Sequence, residues 1–320
     1  MRVLLIGYSR IARRRVLRAL RAVWPDAHLS IASRSATPDA SDTAVRWYDS
    51  YDDGLAAGGD LAYISLHNSG HAESVRRALE AGFHVLVDKP ALPSAAITGE
   101  LLALAASRRR LLSEATVFPF HPQIGAVLTR MRAFGQQAPR VSGCFSIPSL
   151  PDSDFRNRPE LGGGGIEDLG PYAVATNRLI FRRPPDTVSA VAVARRADGL
   201  ITAVAILFGH GERGAMVGHF GFGTEYRNRL EIIDVTHAIE VHRAYTMPPE
   251  AAATIRIVHQ GSSETLEVPP ADAFAEYFKV VDSALTSGVW SHLTEAVNED
   301  AALLDRVRRA AAQPCQPAGA

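Results

Sequence analysis

A lysine at the end of a buried strand is the residue of this chain most readily given a chemical role. Of 34 basic residues only Lys89 and Lys279 are lysines, so arginine serves as the general surface cation. Lys89 comes just after the predicted strand 83–87 and stands between Asp88 and Pro90. An ammonium there can donate to a substrate oxygen and stabilise charge that develops on it, while Pro90 restricts the backbone. The alternative is an exposed lysine without a role.

A second group of candidates follows four consecutive glycines, 162–165. Asp168 and Tyr172 are four residues apart on the predicted helix 166–181 and share one face of it. A tyrosine hydroxyl near a lysine can act as general acid toward a ketone, because the ammonium favours the phenolate left behind. Without that context a helical tyrosine is a packing residue. Glycines so dense before a helix indicate close approach of the backbone to a ligand, which makes Gly164 a candidate substrate contact.

A glycine turn is predicted where the first strand meets the first helix. Gly7, Ser9, Arg10 and Ile11 lie in it, where the pyrophosphate of a dinucleotide would rest on backbone N–H groups. The fingerprint is incomplete, because Ser9 stands at the second glycine position, whereas Ala12 at the third is tolerated. A plain strand-to-helix turn is the alternative.

The second predicted strand ends in Ser33 and Arg34. An NAD site would present an acid here, about 20 residues after the glycine turn. A hydroxyl and a guanidinium suit a 2′-phosphate instead, so the sequence favours NADP(H) over NAD(H). A solvated loop is the alternative.

Further cofactor candidates follow two other strands at the same predicted sheet edge. Leu66, Asn68 and His71 come after one strand, and Asp88 to Pro90 follow another. A simple helix N-cap near Asn68 explains the first group about as well as a role beside the nicotinamide.

Residues 1–118 alternate between predicted strands and helices. The strands are predicted at 3–6, 28–32, 61–66, 83–87 and 111–115, with helices between them that include 71–81 and 95–106. Buried strands that alternate with helices indicate an α/β domain with a doubly wound parallel sheet. We therefore predict an NADP-binding Rossmann domain over 1–118.

From residue 119 the pattern changes to successive strands separated by turns. Strands are predicted at 141–147, 188–195, 201–208, 215–222, 229–233 and 238–241, and helices at 166–181, 271–285 and 294–311. This predicts a C-terminal α+β domain over 119–312 with a large, mostly antiparallel open sheet. An uncovered sheet face needs a partner, so we expect a homodimer or homotetramer through this sheet. Residues 313–320 carry no core-forming pattern and are predicted to be a frayed tail.

Composition excludes several classes of protein. The 34 basic and 34 acidic residues cancel, which removes the electrostatic case for nucleic-acid binding. With 47% hydrophobic residues the chain can bury a core, and it has no apolar run of the roughly 18 residues that a membrane span needs. Its opening residues are too short a run and soon too basic for a secretory signal, so we expect a cytoplasmic location. Two cysteines and scattered histidines indicate neither a disulfide framework nor a metal site.

Together these motifs resemble the glucose-fructose oxidoreductase, inositol dehydrogenase and rhizopine catabolism family, abbreviated Gfo/Idh/MocA. The resemblance covers nearly the whole chain and rests on the glycine turn, the stretch 63–73, the motif 88–90, and the glycines 163–165 followed by Asp168 and Tyr172. Within the family the chain is most similar to reductases of ketones on sugar nucleotides, through stretches 154–156, 226–231 and 243–249.

The resemblance implies that Lys89 and Tyr172 are a catalytic pair. Dehydrogenase branches carry histidine at the position of Tyr172 and an acid at that of Ala175, so the resemblance speaks against inositol-type oxidation. Two residues depart from the family pattern. Asp88 replaces the usual glutamate, and Ser9 replaces a common glycine or small residue, which would weaken cofactor binding if it distorts the turn.

The leading hypothesis is an NADPH-dependent oxidoreductase that reduces a ketone on a sugar, specifically a nucleotide-linked keto-deoxysugar. Lys89 would stabilise the developing alkoxide, Tyr172 would deliver the proton, and Asp168 would orient a sugar hydroxyl or the lysine. Arg156, in the loop before the glycines, would bind a substrate phosphate, with a solvated arginine as the alternative. Two other functions stay open: an NADP-dependent dehydrogenase of a free sugar or polyol, and a non-catalytic ligand-binding or regulatory protein with the same fold.

Overall fold

The computed structural model describes residues 1–35, 45–135 and 138–313. The chain forms two compact units. The first comprises Met1–Thr116 and Phe274–Ala301, and the second comprises Val117–Ala273 and the chain from Ala302 onward. Within the described ranges no helix is both long and apolar enough to cross a membrane. Of the predicted frayed tail 313–320, only Gln313 lies inside the described residues.

The first unit contains a six-stranded parallel sheet. Its strands are β1 (Arg2–Ile6), β2 (His28–Ala32), β3 (Arg46–Tyr48), β4 (Leu61–Ile64), β5 (His84–Val87) and β6 (Leu112–Glu114). Their spatial order is β3-β2-β1-β4-β5-β6, and every neighbouring pair is parallel. Because β2 and β4 flank β1, the order changes direction there, and doubly wound sheets bind ligands at the carboxyl edge beside such a point. The predicted Rossmann-type sheet is confirmed.

Eight α-helices occur in the described residues: α1 (Leu17–Val23), α2 (Tyr51–Ala56), α3 (His71–Glu80), α4 (Ala95–Ser107), α5 (Pro122–Ala133), α6 (Gly165–Phe181), α7 (Ala273–Ser287) and α8 (Ser291–Ala312). A π-helical turn, Ala12–Val16, leads into α1. The central strands β1, β4 and β5 are covered on both faces, as their apolar runs require, and Ile6, Ile64 and Val87 are fully buried.

The second unit contains an eight-stranded sheet. Its strands are β7 (Arg140–Ile147), β8 (Thr187–Arg195), β9 (Ile201–Gly209), β10 (Ala215–Phe222), β11 (Arg227–Ile233), β12 (His237–His242), β13 (Ala253–His259) and β14 (Ser262–Val268). Their order is β14-β13-β12-β11-β7-β10-β9-β8, with β7 and β10 parallel and the other pairs antiparallel. Helix α6 packs on β9 and β10, and α5 packs on β13 and β14. The predicted large, mostly antiparallel sheet is confirmed.

Residues 274–301 lie in the first unit, whereas the sequence assigned them to a second domain that runs from 119 to 312. The physical reason is visible in α7. The Tyr277 hydroxyl donates to Ser113 Oγ at 2.8 Å, and the Phe278 ring lies 5.9 Å from that of Tyr63. An amphipathic helix shows in its sequence that it has an apolar face, but not which core that face joins.

Candidate active site

The glycine turn after β1 depends on Gly7. Its φ is +88°, and a Cβ built there would lie 2.3 Å from the carbonyl oxygen of Ser65. Any other residue would push the turn away from the end of β4. Ser9 Oγ accepts the N–H of Ala12 at 3.1 Å and thereby caps the first helical turn. Arg10 is exposed beside it.

Of the described residues that directly follow β2, which are 33–35, one is a cation and none is an acid. Ser33 is buried, and its backbone N–H donates to the carbonyl oxygen of Tyr48 at 3.0 Å. Arg34 is exposed, and its guanidinium carbon lies 4.6 Å from the centroid of the Tyr51 ring. A cation held over a neutral ring keeps its positive charge available for an anionic ligand.

Asp88 fixes the loop that carries Lys89 on the N-terminal side of the lysine. Asp88 Oδ1 accepts the Tyr63 hydroxyl at 2.6 Å, and Oδ2 accepts the Ser65 hydroxyl at 2.5 Å. Burial, followed by the charge of Asp88, raises the pKa of Tyr63 well above its ordinary value, so Tyr63 stays a donor. Lys89 itself is half-buried.

The other side of the loop is fixed through Pro90 and Ala91. The N–H of Ala91 donates to Glu114 Oε2 at 2.7 Å, and His71 Nδ1 lies 2.9 Å from the Pro90 carbonyl oxygen. Pro90 is in addition joined to Lys89 by a cis peptide bond. The backbone on both sides of Lys89 is therefore tied to neighbouring strands and helices.

His71 is fully buried and lies between two carbonyl groups. Its Nε2 is 3.1 Å from the Leu66 oxygen, and its Nδ1 faces the Pro90 oxygen. The structure thus brings together three of the residues expected to bind the cofactor and shows His71 as the link between two loops. Asn68 and Leu66 are half-buried in the loop before α3.

The glycines before α6 serve the close approach of the protein's own backbone. A Cβ at Gly163 would lie 2.5 Å from the Arg156 carbonyl oxygen, and one at Gly165 would lie 2.2 Å from that of Thr202. Gly164 has a φ of +129° and its Cβ would meet the Glu167 carboxylate at 2.5 Å. Internal contacts therefore require these glycines, and the contact of Gly164 with a substrate stays a prediction.

Arg156 is held between two carboxylates. Its Nε lies 2.9 Å from Asp168 Oδ2, and its Nη1 lies 3.2 Å from Asp154 Oδ1. Although burial favours the neutral guanidine, the charges of Asp168 and Asp154 raise the pKa of Arg156 above its ordinary value. Arg156, which was expected to bind a substrate phosphate, therefore stays charged but already has two carboxylate partners. It also orients Asp168 at the start of α6.

Tyr172 lies one turn after Asp168 on α6, among aromatic side chains. Its ring centroid is 4.9 Å from that of Phe145, 5.6 Å from that of Tyr245 and 5.7 Å from that of Phe118. Packing of this kind fixes the direction of a half-buried ring, so the hydroxyl has a defined position.

Sequence reasoning missed the side chains that hold the candidates in place. Tyr51, Ser65 and Asp154 each bond or stack on a predicted site residue. Of these three, only Asp154 could have been recognised from the sequence, because it stands two residues before Arg156. In the described ranges no cluster of three or more His, Cys, Asp or Glu side chains could hold a metal ion.

Two family models match the chain. The model described as "Oxidoreductase family, NAD-binding Rossmann fold" matches residues 1–116, and the model of the GFO/IDH/MocA C-terminal domain matches residues 124–257.

Relatives with a known reaction are similar over most of the chain. The dTDP-3,4-didehydro-2,6-dideoxy-alpha-D-glucose 3-reductase of Actinomadura kijaniata is 30% identical over 334 residues, which is 97% of this chain and 95% of that one. The enzyme of the same name from Saccharopolyspora spinosa is 31% identical over 262 residues, 78% of each chain.

A solved structure has the same architecture. A 3-ketoreductase from Actinomadura kijaniata, crystallised with NADP and TDP-benzene, superposes with a TM-score of 0.91 at 29% identity, covering 97% of this chain and 98% of that one. It was also solved with a tyrosine changed to phenylalanine and with a lysine changed to alanine. Since the two family models together match well over half of its residues, this chain belongs to the Gfo/Idh/MocA family of oxidoreductases.

Proposed function

We propose that the chain is an NADPH-dependent reductase of a ketone on a nucleotide-linked deoxysugar. The observation that carries the proposal is the loop after β5, where bonds on both sides hold Lys89 at the ligand-binding edge of a dinucleotide-type sheet. Similarity to two sugar-nucleotide 3-reductases supports the substrate class.

One feature of the first unit fits a dinucleotide cofactor in general, and a second fits NADP(H) rather than NAD(H). Gly7, at a φ of +88°, lets the turn after β1 lie against the end of β4, at the sheet edge where a pyrophosphate would rest on backbone N–H groups. Arg34, supported by Tyr51, stands at the end of β2, where an acid would repel a 2′-phosphate. Ser33 and Arg10 supply further donors near the same edge. When bound, the reduced cofactor supplies the hydride.

The residues of the chain do the remaining work. Lys89 donates a hydrogen bond to the ketone oxygen and stabilises the negative charge that develops as the carbonyl carbon gains hydride. Tyr172 gives its hydroxyl proton to that oxygen, which completes the alcohol. Asp168, held by Arg156, accepts a hydrogen bond from a sugar hydroxyl and so orients the ring.

The first test is a fluorescence titration of purified, cofactor-free protein with NADPH and with NADH, followed by turnover of keto-sugar nucleotides. We expect tighter binding of NADPH, and a loss of about 100-fold or more in kcat for Lys89→Ala and for Tyr172→Phe. Unchanged turnover in both variants would refute the catalytic pair. Useful reduction of NADP⁺ by free aldoses would favour the dehydrogenase, and absence of any turnover would favour a regulatory protein.

We also propose that a second copy of the chain covers the open face of the eight-stranded sheet. Val191, Val193, Leu207 and Val217 on β8, β9 and β10 are between 39% and 51% exposed. Leu207 and Val217 are directly opposite each other, so the apolar surface is continuous across strands. Such surfaces mark association sites in proteins of this size.

Light scattering with the Leu207→Glu variant tests this contact. The wild-type protein should have the mass of a dimer or tetramer, and the charged variant should shift to smaller species. Wild-type protein that is monomeric at all concentrations would contradict the proposal.

A further inference from the structure

A line of hydroxyl groups connects the glycine turn to the Lys89 loop inside the first unit. The N–H of Ala12 donates to Ser9 Oγ at 3.1 Å, and Ser9 Oγ lies 2.7 Å from Ser65 Oγ. Ser65 Oγ then donates to Asp88 Oδ2 at 2.5 Å. The line runs from the start of the first helix to the residue immediately before Lys89.

Counting protons fixes the direction of every bond in this line. A carboxylate only accepts, so the single hydroxyl proton of Ser65 goes to Asp88. Ser65 Oγ must then accept from Ser9, whose own proton is used in that bond. Ser9 Oγ is left to accept the N–H of Ala12. All donors point the same way, toward the negative charge, and such bonds polarise and strengthen one another.

Burial of Ser65 favours these hydrogen bonds over hydrogen bonds to water. Ser65 is 1% exposed, so water does not compete for its hydroxyl. The second oxygen of Asp88 is taken by Tyr63, which is fully buried and remains a donor. Asp88 is therefore oriented by two groups of β4 and its end, and the position of Ser9 bears on that orientation through Ser65.

We propose that Ser9, Ser65 and Asp88 form one positioning unit, which couples the cofactor-binding turn to the loop that carries Lys89. The inference rests on the proposed function, since that function requires NADPH to bind at the turn that contains Ser9. It explains two departures from the family pattern together, because Ser9 and Asp88 are the two ends of the same line. Ser9 supports the phosphate turn as a helix cap and does not disrupt it.

A double-mutant cycle tests the coupling. Ser9→Ala and Asp88→Asn are made singly and together, first in the wild-type background and then in the Ser65→Ala background. The NADPH Kd is measured by fluorescence titration, and the Tm of each cofactor-free protein is measured by circular dichroism. Ser9→Thr keeps the hydroxyl, and Ser107→Ala on the exposed end of α4 is the matched control.

In the wild-type background each single replacement should raise the Kd about fivefold, because Ser9→Ala removes a hydrogen bond and Asp88→Asn removes the charge toward which the other donors point. The double replacement should raise it by less than the product of the two, since either change already disrupts the line. In the Ser65→Ala background the two effects should multiply, because no connection is left. Ser9→Thr, which keeps the hydroxyl, should recover most of the affinity that Ser9→Ala loses. The control Ser107→Ala should leave the Kd within about twofold of wild type, a difference of under 0.5 kcal/mol.

Effects that multiply in both backgrounds would overturn the coupling while leaving the proposed function intact. A fall in Tm with no change in any Kd would overturn the positioning role, since purely structural serines would behave so. Failure of the wild-type protein to bind NADPH would instead refute the proposed function. In that case the Tm values of the cofactor-free variants still test whether Ser9, Ser65 and Asp88 form one unit. A loss of Tm in the double variant that is smaller than the sum of the single losses supports the unit, and an additive loss overturns it.

Discussion

Replacing Arg156 with alanine should destabilise the second unit, because the carboxylates of Asp168 and Asp154 both lose the guanidinium that they share. The Asp168 side chain is 12% exposed and the Arg156 side chain 25%, and the two are in contact at 2.9 Å. Removal of one partner from a fully buried ion pair costs about 3–5 kcal/mol. Because solvent reaches both groups in part, we expect about 2 kcal/mol here, which corresponds to a fall in Tm of about 5 °C.

Thermal unfolding followed by circular dichroism measures this loss, with Arg158→Ala as control. Arg158 pairs with Glu160 in the same loop, but the two side chains are 53% and 59% exposed. An exposed pair of this kind contributes about 0.5 kcal/mol or less, so the control should keep its Tm within about 1 °C. Adding Asp168→Asn to Arg156→Ala should recover part of the lost stability, since one of the two carboxylates that lost the guanidinium is then neutral.

The competing interpretation makes a different prediction for the same protein. If Arg156 binds a substrate phosphate, Arg156→Ala should raise the KM for a sugar nucleotide and leave the Tm unchanged. That result, together with no recovery by Asp168→Asn, would refute the reasoning from the ion pair.

Three further predictions follow from single residues. Gly7→Ala should abolish NADPH binding in a titration, because its Cβ would lie 2.3 Å from the Ser65 carbonyl oxygen at a positive φ; binding within tenfold of wild type would contradict this. Arg34→Ala should weaken NADPH binding about tenfold or more while NADH binding changes little, and an equal loss for both would remove the 2′-phosphate role. Burial lowers the pKa of His210 below its ordinary value of 6.5, while its Nε2 is 2.8 Å from Asn177 Oδ1. The folded state then binds fewer protons than the unfolded state, so stability falls as pH drops below about 6.5, and denaturant titrations should show a weaker fall in His210→Gln.

Most strands with a buried face were predicted, because their residue pattern is a direct consequence of burial. The prediction of a strand over 28–32 coincides with β2, and that over 215–222 coincides with β10. Strand β13 was missed although its residues alternate between buried and exposed. The edge strand β14 was missed because it is almost wholly exposed, and β3 because it is short and none of its residues is fully buried.

The sequence allowed prediction of which residues are candidates for the site, but not of which side chains contact them. Lys89 and Tyr172 were found because one follows a buried strand and the other follows a glycine run on a helix. Ser65 joins Ser9 to Asp88 because β1, β4 and β5 are neighbours in the sheet. This order brings Ser65 into contact with one residue 56 positions before it and with another 23 positions after it. No local pattern carries that information.

The two arginines singled out in the sequence show how a partner decides the role of a charge. Arg34 lies over a neutral ring and brings a full positive charge to the end of β2. Arg156 lies between Asp154 and Asp168, so two carboxylates already compensate its charge. A phosphate would have to compete with those carboxylates for the guanidinium, whereas the hydroxyl groups of a sugar can donate to them. In the proposed function Arg34 therefore suits the cofactor phosphate, and Asp168 suits a hydroxyl group of the sugar.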